Sequence, residues 1–148
     1  MASEQTEKVV YSQTIEGLFV RSLGNKLTPS CRDELKTIGL DLSQPLKSPY
    51  PAELWGASLH VARKHLFPGS ASNDGMGKLG HLFIDGFLET LTGKVIISVA
   101  RLTGPMRSVN QLSRRLSAGN NYMKAETRSL TETSLHVWLN NTNPSGPW

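Results

Sequence analysis

The sequence predicts an α+β domain, with N-terminal helices packed on a small antiparallel sheet that includes a C-terminal β-hairpin. Three observations lead there. Apolar residues recur at helical spacing in several stretches before Thr92. Those stretches are bracketed by Thr or Pro at their starts and Gly at their ends. Residues 122–129 and 134–140 instead alternate with period two across a short polar connection. At 148 residues the chain fits one domain over 1–148, with the polar stretch 1–8 expected to be disordered.

Taken in order, Val9, Val10 and Tyr11 suit a short strand. Thr14 is the expected N-cap of a short helix whose Ile15, Leu18, Phe19 and Leu23 face inward, with Gly24 and Asn25 ending it. A second helix is capped by Thr28, has Pro29 in its first position and stops at Gly39. Cys31 falls in its first turns, where a helix N-terminus can lower a thiol pKa. No partner base is evident, so a passive thiol is the expectation. The three prolines between Gln44 and Pro51 predict an extended connection. A third helix starts at Pro51, with Leu54, Trp55, Leu59, Ala62 and Leu66 on its apolar face and His60, Arg63, Lys64 and His65 read as surface.

Ser70 to Gly77 is small and polar and reads as a loop. Gly75, Gly77 and Gly80 match G-x-G-x-x-G, but the dinucleotide fingerprint needs a buried strand before it, and a polar loop stands there instead. A fourth helix is expected from Lys78, with Leu79, Phe83, Phe87 and Leu91 along one side and His81, Asp85 and Glu89 as a solvated row. Thr92 and Gly93 are expected to break it. In Lys94 to Thr103 the β-branched residues favour a strand, whereas Ser98 and Arg101, three apart, share a helical face. Helix is the weightier of the two. Pro105 then opens a helix with Met106, Val109, Leu112 and Leu116 on one side and Arg107, Gln111 and Arg114 on another. Gly119, Asn120 and Asn121 suit the tight turn leading into the hairpin.

Charge is unevenly spread. Residues 1–93 hold nine Lys or Arg against ten Asp or Glu, residues 94–148 seven against two, so the net +4 sits in the C-terminal third. Such asymmetry suits an anionic partner, or a solvated face. One cysteine excludes an intrachain disulfide. No apolar run reaches the roughly 18 residues of a membrane span, and the polar, acidic opening lacks the pattern of a secretory signal. A cytoplasmic location is therefore the expectation. His60 and His65 are five apart, which denies them the i, i+4 spacing of a helical metal pair, and no metal or cofactor is called for.

The run Thr14, Ile15, Glu16, Gly17, Leu18, Phe19, then Leu40, Asp41, Leu42, then Tyr50, Pro51, the Gly119 to Tyr122 turn and the Leu135 to Asn140 strand together resemble a paralogous family of unknown function found in myxobacteria. The likeness covers most of the chain. That family in turn is similar in fold to haem-nitric-oxide-binding domains, vinyl-4-reductase-like sensor domains and transport-particle subunits, an analogy of fold alone. In the family the chain continues past this strand, whereas this sequence stops at Trp148. The resemblance thus implies a domain shortened after 148 or completed by a partner, leaving the strand edge at 134–140 for self-association. It carries over no catalytic residue, and none of His60, His65, His81 or His136 matches the haem relatives' proximal histidine.

No motif joins a nucleophile to a base or completes a metal site, so the expectation is a non-enzymatic regulatory or sensory module binding a small effector or a protein partner. Its candidate contacts are Arg114, Arg115, Asn120, Asn121 and Tyr122, because a left-handed turn beside two arginines offers backbone N–H groups to an anion. The asparagines equally serve turn geometry alone. The alternatives are nucleic-acid binding through Arg101, Arg107, Lys124 and Arg128 beside those arginines, and a structural, self-assembling subunit.

Overall fold

A computed structural model describes residues 7–111, 118–129, 131 and 134–141. The expected disorder of 1–8 therefore falls almost wholly outside the described residues. Mixed helix and sheet is what the chain forms, as its patterning predicts. The strands make two separate two-stranded antiparallel sheets: β1 (Val9–Val10) with β2 (Tyr50–Pro51), and β3 (Met123–Ser129) with β4 (Leu135–Asn141).

Between β1 and β2 come α1 (Ser12–Ile15), which runs straight into a π-helical stretch (Glu16–Ser22), and α2 (Pro29–Thr37). Thr14 does not cap this first helix. It lies inside it, buried, and its hydroxyl donates to the Gly119 carbonyl at 2.9 Å. The inward set Ile15, Leu18, Phe19 and Leu23 is nearly inaccessible to solvent, as the spacing predicts. In α2 the Thr28 hydroxyl accepts from Cys31 N–H at 3.2 Å, Pro29 opens the helix, and Gly39 closes it at φ +109°, a conformation that glycine adopts without strain.

The proline-rich connection supplies β2, whose Tyr50 pairs with Val10. This strand was not expected, since prolines rarely sit in ladders except at edges. Pro51 then leads into α3 (Ala52–Leu66). Glu34 of α2 meets Lys64 at 3.0 Å and His65 at 2.7 Å, and these partners hold its carboxyl below the usual range, His65 first. His65 is thus a half-buried tie between α2 and α3 and not the free surface residue expected from its place on the wheel.

The fourth helix, α4, spans Ser72–Glu89 and so begins six residues before the expected Lys78. Residues 72–77, expected as loop, are helical. The reason is packing. Gly75 leaves room for Arg63, whose Cγ stands 2.8 Å from where a Cβ on Gly75 would lie. Gly86 lets α4 cross the π-helical stretch backbone to backbone, with the Gly17 carbonyl oxygen 1.9 Å from its own absent Cβ. Tertiary contact outweighs the low helix propensity of these glycines. The break falls at Thr90, whose hydroxyl accepts from Gly93 N–H at 3.1 Å and caps α5 (Leu91–Thr103). Lys94 to Thr103 is therefore helical, and Thr92 and Gly93 belong to its first turn. Leu91 is not part of the α4 apolar side; it opens α5 at 80% exposure.

Pro105 opens α6 (Pro105–Asn110). The expected continuation through Leu112, Arg114 and Leu116 falls outside the described residues. The chain reappears at Ala118 beside β1: Tyr11 N–H donates to Gly119 O at 3.0 Å, Asn121 N–H donates to Val9 O at 3.2 Å, and Asn120 bridges to Val10. From there the hairpin runs in register from Met123 opposite Asn141 to Ser129 opposite Leu135. Tyr122 and Ala125 are buried where it meets the body.

Candidate functional site

Among the described residues a groove between α3 and α4 has a volume of about 600 Å³ and is lined by Trp55, Leu59, Asn73, Met76, Gly77, Leu79, Gly80 and Phe83. Its walls follow from helical spacing. Trp55 and Leu59 stand four apart on α3; Met76, Gly80 and Phe83 follow one another at spacings of four and three on α4, so each set projects from one face. Trp55 meets Phe19 edge-on with centroids 6.1 Å apart, and Phe83 at 5.9 Å, with Phe83 in turn 5.7 Å from Phe87. The aromatic wall of the groove is thereby continuous with Phe19 in the core.

Glycines hold the groove open. A Cβ on Gly77, on Gly80 or on Gly56 would meet no atom within 4 Å. Unlike Gly75 and Gly86, these positions have no packing reason among the described residues to forgo a side chain, although mid-helix glycine costs about 1 kcal/mol against alanine. Among the described residues, Asn73 and the Trp55 indole N–H are the polar side-chain groups of the lining. A groove of this size and composition lies within the range of small-molecule sites, which are mostly apolar with a few polar groups. A smaller hollow of about 390 Å³ lies between Leu23, Lys26, Leu66, Phe67, Lys78, His81 and Leu82. Its Lys78 is already bound to Asp74 at 2.7 Å.

One buried side-chain nitrogen among the described residues has no partner. Arg63 lies one turn beyond Leu59 on α3, and its Nε is buried with no hydrogen-bond partner among the described residues. Elsewhere, burial pushes the Cys31 thiol up, with Glu34 adding to the effect and Arg32 opposing it, which disfavours a reactive thiolate. Among the described residues no three His, Cys, Asp or Glu side chains come together as a metal site.

The site residues expected from sequence lie elsewhere. Arg114 and Arg115 fall outside the described residues. Asn120 Oδ1 accepts from Tyr122 N–H at 3.2 Å and Met123 N–H at 2.7 Å, which shapes the entry to β3. Asn121 Oδ1 accepts from Val9 N–H, and its Nδ2 donates to Glu7 O, both at 2.8 Å. Tyr122 is buried, and that burial, with the Glu53 carboxylate adding to it, pushes its phenol up. The turn therefore ties β1 to the hairpin. Arg101 on α5, Arg107 on α6 and Lys124 on β3 are exposed, and Arg128 lies on β3 opposite His136.

Sequence reading passed over the groove because Trp55, Leu59, Leu79 and Phe83 look like ordinary core positions, and Gly77 like loop. The available signal was Gly77 and Gly80, three apart amid helical apolar spacing. The same glycines form the G-x-G-x-x-G match, and they lie inside α4, not at a strand-to-helix turn.

The chain belongs to a family described as a protein of unknown function (DUF2378), whose profile matches residues 8–147. No curated protein and no solved structure matches it. No helix among the described residues is long and apolar enough to cross a membrane.

Proposed function

We propose that this chain is a non-enzymatic regulatory or sensory module whose α3–α4 groove takes a small, largely apolar effector. The observation that carries this reading is the groove itself, about 600 Å³ walled by Trp55, Leu59, Met76, Leu79 and Phe83 and kept clear by Gly77 and Gly80. The Trp55–Phe19 contact links its wall to the core, so an occupant that shifts Trp55 acts on the packing of the π-helical stretch. The resemblance to sensor-domain folds drawn from the sequence motifs favours the same role by analogy of fold alone.

The test is a titration with 1-aminoanthracene, a neutral apolar fluorophore. One saturable site is expected in the native chain and its loss in Gly80→Leu, with circular dichroism and Tm kept. No saturable site, or one untouched by Gly80→Leu, contradicts the reading.

A second reading, self-association, has its own observation. On α5 Leu91, Val95, Val99 and Leu102 are 80%, 56%, 37% and 87% exposed at helical spacing. Strand β4 holds no charge and no proline, the usual guards of an edge, so pairing it with β4 of a second copy opposes no like charges. Sedimentation equilibrium is expected to give a mass above the 16.2 kDa chain that falls back to it in Val95→Lys/Leu102→Lys. A native chain that stays monomeric at high concentration contradicts this second reading.

A further inference from the structure

We infer that the smaller hollow beside Lys78 binds a small amphipathic anion, an apolar body carrying one acidic group, at a site separate from the groove.

Lys78, His81 and Leu82 stand three and four residues apart on α4, so they share one face, and none of them lines the groove. Leu66 and Phe67 bring the end of α3 to the same hollow. Leu23 and Lys26 come from the turn after the π-helical stretch, where Lys26 N–H donates to Leu23 O at 2.8 Å. Leu23 is fully buried and Leu66, Phe67 and Leu82 are half-buried, so these four make an apolar floor. Lys26, Lys78 and His81 are exposed and make a basic rim. Among the described residues no acidic side chain lines the hollow.

This basic rim is a local surplus, because residues 1–93 hold nine Lys or Arg against ten Asp or Glu. In that part of the chain Arg21, Lys36 and Lys64 each meet a carboxylate. Lys26 makes no ion pair among the described residues, and neither does His81, although Asp85 stands one turn further along α4. Lys78 donates to Asp74 at 2.7 Å and to Ser70 Oγ at 3.3 Å, with its ammonium 5.5 Å from the centre of the Phe67 ring. An ammonium has three donors, so one is left for a ligand, and a histidine ring offers an N–H in either charge state. An acidic group held by the rim, with its apolar body on the floor, uses both halves of the hollow. Its volume of about 390 Å³ lies within the range of small-molecule sites.

The experiment compares octanoate with octan-1-ol, which share an apolar chain and differ in charge, on the full chain at neutral pH. Binding is read from the carbon-13 methyl shifts of Leu82 and the ring resonances of His81. Octanoate is expected to bind about fivefold more tightly than octan-1-ol, the scale of an ion pair at a partly exposed site, and to lose that advantage at high salt. Lys26→Met keeps the stem of an exposed side chain and removes its charge. It should cut the preference while octan-1-ol still binds, and Lys26→Arg should keep it. In the native protein the His81 ring should move with octanoate and stay still with octan-1-ol, a readout that needs no variant. Equal affinities, a preference that survives Lys26→Met, Leu82 methyls that stay still, or no binding of either probe would overturn the proposal. Displacement of 1-aminoanthracene by octanoate would place the anion in the groove and overturn it too, leaving the groove reading intact.

Discussion

At Gly86 a methyl group has nowhere to go, because the Gly17 carbonyl oxygen stands 1.9 Å from the position it would take. At Gly80 the same methyl meets nothing within 4 Å. The two substitutions should therefore move stability in opposite directions under urea. Gly86→Ala is expected to lose about 3 kcal/mol or more by overpacking, and Gly80→Ala to gain about 0.5–1 kcal/mol from helix propensity. A loss at both positions would mean that Gly80 is packed. Asp41 gives a pH signature at the same scale. The Ser43 hydroxyl, the Lys36 ammonium at 3.0 Å and the Ser43 backbone N–H hold its carboxyl down to about 2. A carboxyl depressed in the folded state stabilises it fully above its ordinary pKa of about 4. That contribution fades as pH falls from there and is gone once pH passes below about 2. Asp41→Asn should flatten the fall in Tm over that window and leave its slope near neutrality unchanged.

Among the elements, the α4–α5 junction depends on one buried threonine. Thr90 donates to Phe87 O at 2.6 Å and accepts from Gly93 N–H at 3.1 Å, which ends one helix and starts the next. Thr90→Ala is expected to cost about 1 kcal/mol, as other N-cap removals do, measured by urea denaturation. Thr90→Ser, which keeps the hydroxyl, should recover most of it. This junction also shows what local sequence can signal. Thr28, Pro29 and Gly39 framed α2 in advance because caps and left-handed stops are local chemistry. The start of α4 was hidden because Gly75 and Gly77 look like loop residues until Arg63 and the open groove are seen beside them. Likewise Thr14 looked like a cap, but the Gly119 carbonyl that it serves is 105 residues away along the chain. The hairpin was legible from period two, and β2 was not, because its Tyr50–Pro51 dipeptide has no period to read.

For the molecule as a whole, sequence patterning anticipated the mixed fold, the buried face of the first helix and the hairpin, since each is written in spacing. The groove is a property of two helices brought together, and its residues carry the same letters as a core. Of the expected anion-binding turn, Asn120 and Asn121 have side chains committed to backbone groups, and their described partners tie the N-terminal sheet to the hairpin. The groove instead gathers aromatic and thioether surface from Trp55, Phe83 and Met76.

The most direct test of the groove uses its methionine. The chain has four methionines, and Met76 lines the groove. With the methionine methyl groups labelled with carbon-13, titration with 1-aminoanthracene is expected to shift the Met76 resonance in a saturable way while Met123, on β3, stays in place. A Met76 signal that stays still while 1-aminoanthracene binds, or one that moves equally with Met123, would contradict occupancy of the α3–α4 groove.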